Sequence, residues 1–382
     1  MEDRYPDPVK LSSTLATRLA FPRTPGDEKA YTDAILSQLK QERLLWVVAP
    51  QETGDAALSI ADTARITFNI ARVSGSAGLI YAMHMSQALT LVRHQGESPY
   101  LRALVGRLAH DQALVASGTS EKGVGGDIFG SVCAIESIDE QTLSVTKDSP
   151  NISYMDHAGA VLISAMRDIN SRKSQVLIAA KADEIKWEAG RSNEFMGMRG
   201  ILNRPYKLTA QFSSEAIFAE SYPAIAKKTM TPSIHIFWAA LWSGLAASAL
   251  DKARACISAM PANESEISNL MRGDLTRLVD RHYAMNALIR DAIAEFSQTP
   301  YAAAVDLAGT ARVKRLKTTC SDYLSEICVG VLGILGIRGY AENGPLSISE
   351  ILRDALSAKV MISNYRLLAN NAKIERFVEE TL

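Results

Sequence analysis

The sequence predicts a mostly helical α+β protein in which strands lie between two groups of helices. Before about residue 115 and after about residue 222, apolar residues recur at three- and four-residue spacing, as on the buried face of a helix. Between these parts, glycines cluster and short β-prone runs alternate with turn-forming segments. The expected domains are an N-terminal helical domain at 1–115, a middle β domain at 116–222 and a C-terminal four-helix bundle domain at 223–382.

The individual elements follow from the same patterns. Helices are predicted at 29–44, 56–71, 76–95 and 99–115, the last with Ser98-Pro99 as its cap and first-turn proline. Strands are predicted at 131–138, 142–146, 160–166, 175–180, 207–212 and 216–218. No helical pattern separates them, so an antiparallel sheet or barrel is expected. Long helices at 232–260, 265–298, 301–333 and 348–381, with short connections, predict an antiparallel bundle.

Composition limits the possible functions. The 382 residues include 41 Lys or Arg and 42 Asp or Glu, and 47% are hydrophobic. This balance is typical of a globular protein and disfavours both disorder and binding driven by nucleic-acid phosphates. Four cysteines in a chain of this length do not make a disulfide framework. Because the N-terminus shows no secretory signal pattern, we expect a cytoplasmic protein.

The most apolar segment is 236–250, which is shorter than the roughly 20 residues that a membrane span needs. Charged residues close it at 251–254, and small residues such as Ala240, Gly244 and Ala247 would let other helices approach closely. We therefore expect a buried helix of the bundle and no membrane span.

Several simple catalytic patterns do not fit. The six histidines and four cysteines form no HExxH or CxxC spacing, so no metal site is expected. Ser76 lies between Gly75 and Gly78, but the register is not GxSxG and no strand precedes it. The glycine-rich stretch 117–127 is neither a P-loop nor GxGxxG. It is consistent with a flexible surface loop, and equally with a backbone that approaches a flat or anionic ligand.

Five segments, in order, resemble motifs of the acyl-CoA dehydrogenase superfamily of flavoproteins. Residues 120–127 (SEKGVGGD) correspond to its Thr-Glu-Pro-x-Ala-Gly-Ser-Asp loop, and 149–153 (SPNIS) to its Lys-x-Trp-Ile-Thr strand. Residues 196–200 (MGMRG) correspond to Met-Gly-x-Arg-Gly, while 336–340 (GIRGY) followed by 353–355 (RDA) correspond to Gly-Gly-x-Gly-Tyr and Arg-Asp-Ala. The apolar helix at 244–253 also resembles the first bundle helix of that family.

This resemblance implies a helical domain, a small β-barrel domain and a four-helix bundle, with FAD bound between them in a homodimer or homotetramer. It implies a dehydrogenase that forms an α,β-double bond in an acyl thioester carried on CoA or on an acyl carrier protein. The electron acceptor is left open. The residues that it assigns to FAD are Thr119, Ser120, Gly125, Gly126, Ile152, Ser153 and Tyr154.

Departures from the family motifs bear on the flavin site. The aromatic residue that stacks on the flavin would fall at Asn151, and Tyr154 could replace it only if the strand register shifts. The family's Arg and Phe-Gly pair, which reach the adenosine half of FAD, are missing from 255–263. Glu121 is expected to pair with a protein arginine, with Arg199 as the candidate.

The catalytic base is the largest departure. The two positions that carry the basic Glu in the family fall near Ile362 and near Ile234-His235, and neither is a carboxylate. His235 is the nearest titratable group and becomes the candidate base. Two alternatives keep the fold: a flavin monooxygenase or nitrogen-oxidising enzyme, or a non-catalytic binding member. The basic run 312–317 is interpreted as a solvated helix face or as a contact for a carrier protein.

Overall fold

The fold is known from a computed structural model. It describes residues 7–18, 27–50, 56–124, 130–171, 174–192, 194–260, 266–299 and 306–377.

Among the residues that the structure describes, five helices precede the strands. They are α1 (Pro8–Arg18), α2 (Glu28–Gln41), α3 (Ile60–Ala71), α4 (Gly75–His94) and α5 (Pro99–His110). Serines begin three of them: the hydroxyls of Ser59, Ser74 and Ser98 accept the backbone N–H three residues further on, at 3.1, 3.2 and 3.2 Å. The predicted cap at Ser98-Pro99 is therefore confirmed.

Seven strands in the described part of the chain form two sheets. They are β1 (Leu114–Gly118), β2 (Ile135–Ser137), β3 (Leu143–Ser153), β4 (Ala158–Met166), β5 (Gln175–Lys181), β6 (Ile185–Ala189) and β7 (Asn203–Phe212). One sheet has the order β1-β4-β5, and the other has the order β2-β3-β7-β6. The pairs of named strands are antiparallel as expected, except that β1 runs parallel to β4. The expectation of a purely antiparallel arrangement is wrong at this pair.

The sequence did not predict strands β1 and β6, and the strand predicted at 216–218 does not form. The helix predicted to reach residue 115 ends at His110, and the apolar residues after it form β1. Strand β6 has four exposed residues out of five, so it carries no clear alternation of apolar and polar residues. The predicted strand 216–218 contributes a single bridge, between Ile217 and Ile178.

After the strands, helices return and form the bundle. A short helix α6 (Tyr222–Ile225) continues through the wider turns of Ala226–Met230 into α7 (Thr231–Ser258), and α8 (Glu266–Gln298) and α9 (Leu307–Leu335) follow. A Cβ atom on Gly244 of α7 would lie 2.5 Å from the Phe68 carbonyl oxygen of α3, so the two helices touch through backbone there. The close approach predicted for this glycine is confirmed.

Helix α7 fills the centre of the helical part of the molecule. Of the predicted apolar segment 236–250, all residues but one are buried. Two stretches, Tyr222–Ser258 and Leu307–Leu335, are long and apolar enough to cross a membrane, by length and composition alone. The core helix of a soluble protein passes the same test, and 89% of the most apolar window of the first stretch is buried inside this chain.

The chain after α9 is broken where one helix was predicted. It forms α10 (Ile337–Tyr340), α11 (Ser349–Ser357) and α12 (Asn364–Ile374). Residues 358–363 make a turn between α11 and α12, which we call the C-terminal turn. Ile362 in this turn has φ +52°, which no helix interior permits. The single helix predicted at 348–381 is therefore wrong.

Candidate functional site

The end of β1 and the end of β3 meet at one edge of the β part, and two of the sequence motifs come together there. The Ser120 hydroxyl lies 2.7 Å from the Ser149 hydroxyl and donates to the Asn151 carbonyl oxygen at 2.8 Å. The neighbouring Thr119 hydroxyl lies 3.0 Å from that of Ser117. Thr119 and Ser120 are half-buried, so this edge remains partly open to a ligand.

The strand register shifts within β3, and the shift decides which side chains face outward. Between Ser149 and Ile152 the pairing with β7 is displaced, and Pro150 and Asn151 are both exposed. After this bulge, Ile152 and Tyr154 point into the core, with 1% and 2% of their surfaces exposed. The register shift that Tyr154 would need in order to replace the stacking residue is present, but it buries Tyr154 instead of presenting its ring.

Tyr154 is held in the core by its own polar end. Its hydroxyl donates to the Val115 carbonyl oxygen at 3.1 Å, and burial raises the pKa of the phenol. We therefore correct its assignment as a ring that faces a cofactor. Ser153, on the outward side, is half-buried and its hydroxyl donates to Asn203 Oδ1 at 2.6 Å. Gly125 and Gly126 lie outside the residues that the structure describes.

Behind this edge lies a buried ion pair that the sequence analysis missed. Lys147 Nζ lies 2.9 Å from Glu121 Oε2, and the side chains of the two residues are 0% and 4% exposed. The ammonium also donates to the Ser164 carbonyl oxygen at 2.7 Å. Glu121 in turn accepts the Ser131 hydroxyl at 2.7 Å and the Val132 N–H at 3.1 Å. Both charges are thus compensated inside the protein.

The expected pairing of Glu121 with Arg199 is wrong. Arg199 approaches Glu28 at 3.9 Å and donates to the Phe195 carbonyl oxygen at 3.4 Å. Glu121 lies in the loop that follows β1 (119–124), which we call the β1 loop. Its side chain is buried against the inward-facing Lys147 of β3.

Two further motifs meet in a structural junction. The Met198 N–H of the MGMRG segment donates to Asp354 of the RDA segment, and the Gly200 N–H donates to the Ser76 hydroxyl at 3.1 Å. A Cβ atom on Gly197 would come within 2.3 Å of the Arg353 carbonyl oxygen. These contacts join α4, the loop before β7, and α11. The MGMRG and RDA segments therefore have a structural role, because they hold these elements together. Ser76 is a buried hydrogen-bond acceptor in the same junction.

The C-terminal turn contains the first position at which a base was expected. Ile362 is 42% exposed, and its left-handed backbone is costly for a β-branched residue, by roughly 1–3 kcal/mol. Beneath it lies Lys317 of α9, which is fully buried. Burial lowers the pKa of Lys317 to about 8, against the opposing effect of Asp322. An apolar residue thus occupies the surface of the turn, and a cation lies under it.

The interpretation of the basic run 312–317 as a solvated helix face is wrong, because Lys317 is buried. Within that run, Arg312 pairs with Glu295 and Arg315 pairs with Glu375, each across to another helix. The run therefore packs against three neighbouring segments and is not a solvated helix face. Sequence reasoning missed this because a lysine within a run of cations resembles a surface residue.

The second base position leads to His235, which is 1% exposed in α7. Its Nδ1 atom lies 3.0 Å from the Val313 carbonyl oxygen of α9, and its ring stacks on Trp238 with centroids 5.9 Å apart. Burial lowers the pKa of this imidazole to about 4. A carbonyl oxygen can only accept, so Nδ1 carries the hydrogen and the lone pair is assigned to Nε2.

Two cavities of the helical part border these residues, since Val313 lines one and Lys359 of the C-terminal turn lines the other. One, of about 580 Å³, lies among α7, α8 and α9, with Ile236, Phe296 and Leu316 in its wall. The other, of about 840 Å³, is a groove between α8 and α9 that includes Leu278 and Val329. Within the part of the chain that the structure describes, no three His, Cys, Asp or Glu side chains come together as a metal site.

The fold is shared with solved structures of flavin-dependent oxidoreductases. Butyryl-CoA dehydrogenase from Megasphaera elsdenii superposes with a TM-score of 0.81 at 16% identity, over 98% of each chain. The prolyl acyl carrier protein oxidase AnaB gives 0.81 at 16% identity, over 98% of this chain and 99% of that one. The FMN-bound dibenzothiophene monooxygenase TdsC from Paenibacillus sp. A11-2 gives 0.80 at 13% identity, over 97% of each chain.

This chain therefore has the acyl-CoA dehydrogenase fold, as the sequence resemblance implied. No protein-family model matches the sequence, and no curated protein matches it. The names of these solved proteins describe different reactions: a dehydrogenase, an oxidase and a monooxygenase. The fold alone consequently does not fix the reaction.

Proposed function

We propose that this protein is an FAD-dependent oxidoreductase that dehydrogenates an acyl thioester, carried on CoA or on an acyl carrier protein, with His235 as the proton acceptor. The observation that carries this proposal is the hydrogen bond from His235 Nδ1 to Val313. It orients the ring and leaves Nε2 as an acceptor. Burial lowers the pKa of the imidazole to about 4, so the ring is neutral at pH 7 with a lone pair for a proton, and it is a weaker base than an exposed histidine.

The residues at the edge of the β part fit a flavin in part. Thr119, Ser120 and Ser153 are half-buried and retain hydroxyl groups, so they would hold the ring edge of the cofactor. The hydroxyls of Ser120 and Ser153 already bond other protein groups, which fixes their positions in advance. When bound, FAD supplies the acceptor for a hydride. The protein supplies orientation, exclusion of water and the proton acceptor.

The proposal is tested by anaerobic titration of the FAD-loaded protein with acyl-CoA thioesters of several lengths. Bleaching of the flavin absorbance is the expected result. Replacing His235 by Gln should slow flavin reduction by about 10²-fold or more, the usual contribution of a general base. A reduction rate that is unchanged in His235→Gln would remove this residue from the mechanism.

A second candidate function is a flavin monooxygenase or nitrogen-oxidising enzyme. The specific observation that favours it is Ile362, an exposed apolar residue at the position where the resemblance places a carboxylate. A reaction that does not begin with loss of an α proton has no need of that carboxylate. Consumption of oxygen driven by NAD(P)H, with no bleaching by any thioester, would support this candidate over the first.

We also propose that the protein assembles as a homodimer or homotetramer. Helix α7 does not require a partner, because a single chain buries it. The surface of α9 and α10 differs: Val329, Ile337 and Tyr340 are 57%, 78% and 69% exposed. Large apolar side chains exposed in this way are candidates for an interface. A sedimentation mass near 41.5 kDa at micromolar concentration would contradict assembly.

A further inference from the structure

The backbone of the C-terminal turn is unusual in a way that the local sequence does not explain. Neither Gly nor Pro occurs in 358–363, yet Ile362 adopts φ +52°. Left-handed backbone is rare for a β-branched residue and persists only where surrounding contacts hold it. Some group outside the turn must therefore stabilise this conformation.

Lys317 provides that stabilisation. Its Nζ donates to the Ala358 carbonyl oxygen at 2.9 Å, to the Ile362 carbonyl oxygen at 2.7 Å and to Asn364 Oδ1 at 2.6 Å. The three acceptors lie at the beginning and end of the turn and at the first residue of α12. An ammonium has three donors, and here all three are used on one short segment. A hydrogen bond from a charged donor is stronger than one between neutral groups.

The surroundings of the ammonium show that it is built into this place. Lys317 has 0% of its surface exposed, and its Nζ lies 5.9 Å from the centre of the Trp242 ring of α7. Asn364 is itself fixed, since its amide donates to the Ser321 hydroxyl of α9 at 2.9 Å. The turn is thus tied to α9 at two points, one charged and one neutral.

We infer that Lys317 is a positioning residue, whose ammonium holds the C-terminal turn so that Ile362 forms an apolar wall of the proposed flavin and substrate site. This inference rests on the proposed function for the identity of the site, and on the contacts of Lys317 for the mechanism of positioning. At the place where Ile362 is exposed, the turn presents an apolar side chain to a ligand. A charged or strongly polar segment would lose its hydration there without gaining a partner.

The test uses the full chain with the variants Lys317→Met and Ile362→Gly, and their combination. Met keeps the length of the side chain and removes the charge. The first readout is amide hydrogen exchange of the 358–364 peptide in the protein without added flavin. We expect Lys317→Met to speed this exchange by about tenfold or more, while peptides of β5 are unchanged. Glycine adopts left-handed backbone without strain, so the effect of Lys317→Met should be smaller in the Ile362→Gly background.

A matched control is Lys359→Met, in the same turn. Lys359 pairs with Asp322 at 2.9 Å, but both side chains are about half exposed, so its loss should leave exchange unchanged. Uniformly faster exchange across the chain in Lys317→Met would reduce its role to general stability and overturn the inference. An equal effect of Lys317→Met in the wild-type and Ile362→Gly backgrounds would overturn it as well.

The second readout separates this inference from the proposed function. With FAD added, Lys317→Met should shift the visible circular dichroism of the flavin and weaken binding of an acyl-CoA with an apolar chain, whereas Lys359→Met should not. If the wild type binds no flavin, the proposed function fails, while the exchange measurement still decides whether Lys317 holds the turn. Unchanged flavin and ligand signals in Lys317→Met, with faster exchange, would refute the assignment of Ile362 to the site.

Discussion

Replacing Lys147 by Met should destabilise the protein far more than the loss of an ordinary salt bridge. The change removes the ammonium that lies 2.9 Å from Glu121 and leaves the carboxylate buried, with 4% of the side chain exposed. At an effective dielectric constant of about 20, charges this far apart attract each other by about 6 kcal/mol. The Ser131 hydroxyl and the Val132 N–H remain as donors and offset part of that loss. We expect the free energy of unfolding to fall by about 3–5 kcal/mol.

The measurement is urea-induced unfolding, followed by circular dichroism, with a control from the same region. Lys122 and Asp148 form an ion pair 2.8 Å apart, but their side chains are 55% and 50% exposed. Lys122→Met should therefore cost less than about 1 kcal/mol, although the pair has almost the same geometry as the buried one. Both variants replace a lysine by methionine, and they differ in whether the ion pair that is lost is buried or exposed.

A third variant isolates the unpaired charge as the cause. In Lys147→Met/Glu121→Gln both charges are gone, so the double variant should recover a substantial part of the stability lost in Lys147→Met alone. If Lys147→Met is no more destabilising than Lys122→Met, the buried pair does not stabilise the β1 loop and the reasoning fails. A double variant that is less stable than the single one would show that packing dominates over charge.

Three more predictions follow from the same structure. Ile362→Glu places a carboxylate on the C-terminal turn and should speed flavin reduction by a thioester by about tenfold or more, if the turn borders the substrate; an unchanged rate would contradict this. Burial lowers the pKa of both His84 and His235 to about 4, below the value near 6.5 of the unfolded chain. Each buried neutral histidine therefore contributes fully to the free energy of unfolding above pH 6.5, and this contribution is lost as the pH falls toward 4. At pH 5 the loss is about 2 kcal/mol for each histidine. Unfolding titrations across this range should show a smaller loss in His84→Gln, and an equal loss would contradict it. Asp354→Ala leaves the buried Met198 N–H without its acceptor and should cost about 1–3 kcal/mol in the same assay, whereas no loss would contradict the junction.

Much of the fold was readable because its helices carry long, regular patterns. From residue 231 to residue 335 the structure matches the predicted helices to within a few residues, apart from 261–265 and 300–305, which it does not describe. The errors fall where a local pattern and the tertiary structure disagree. The apolar residues of β1 continue the apolar face of α5, so the sequence alone extends the helix. At the C-terminal turn no Gly or Pro marks a break, because Lys317 stabilises the turn from a distant helix.

The site was predicted less well than the fold, because its determinants are contacts between distant segments. Motifs preserve local order and so single out Ser120 and Ser153, whose role at a flavin stays a prediction. The partner of Glu121 could not, because Lys147 and Arg199 are equally cationic in the sequence. Only the inward direction of Lys147 on β3 distinguishes them.

Residues 149–153 share little with the Lys-x-Trp-Ile-Thr motif to which they correspond, and the structure shows where the nearest lysine and aromatic ring lie. In the resemblance, position 149 corresponds to the lysine of the Lys-x-Trp-Ile-Thr strand, and this chain has Ser149 there. Lys147 lies two residues earlier on the same face of the strand, and its ammonium points inward to Glu121. Tyr154 lies three residues from Asn151, where the aromatic residue would fall, and the bulge after Ser149 directs it into the core. Both Lys147 and Tyr154 therefore point inward in this chain. A flavin at this edge would consequently be held by hydroxyl and backbone groups rather than by stacking on an aromatic side chain of this strand.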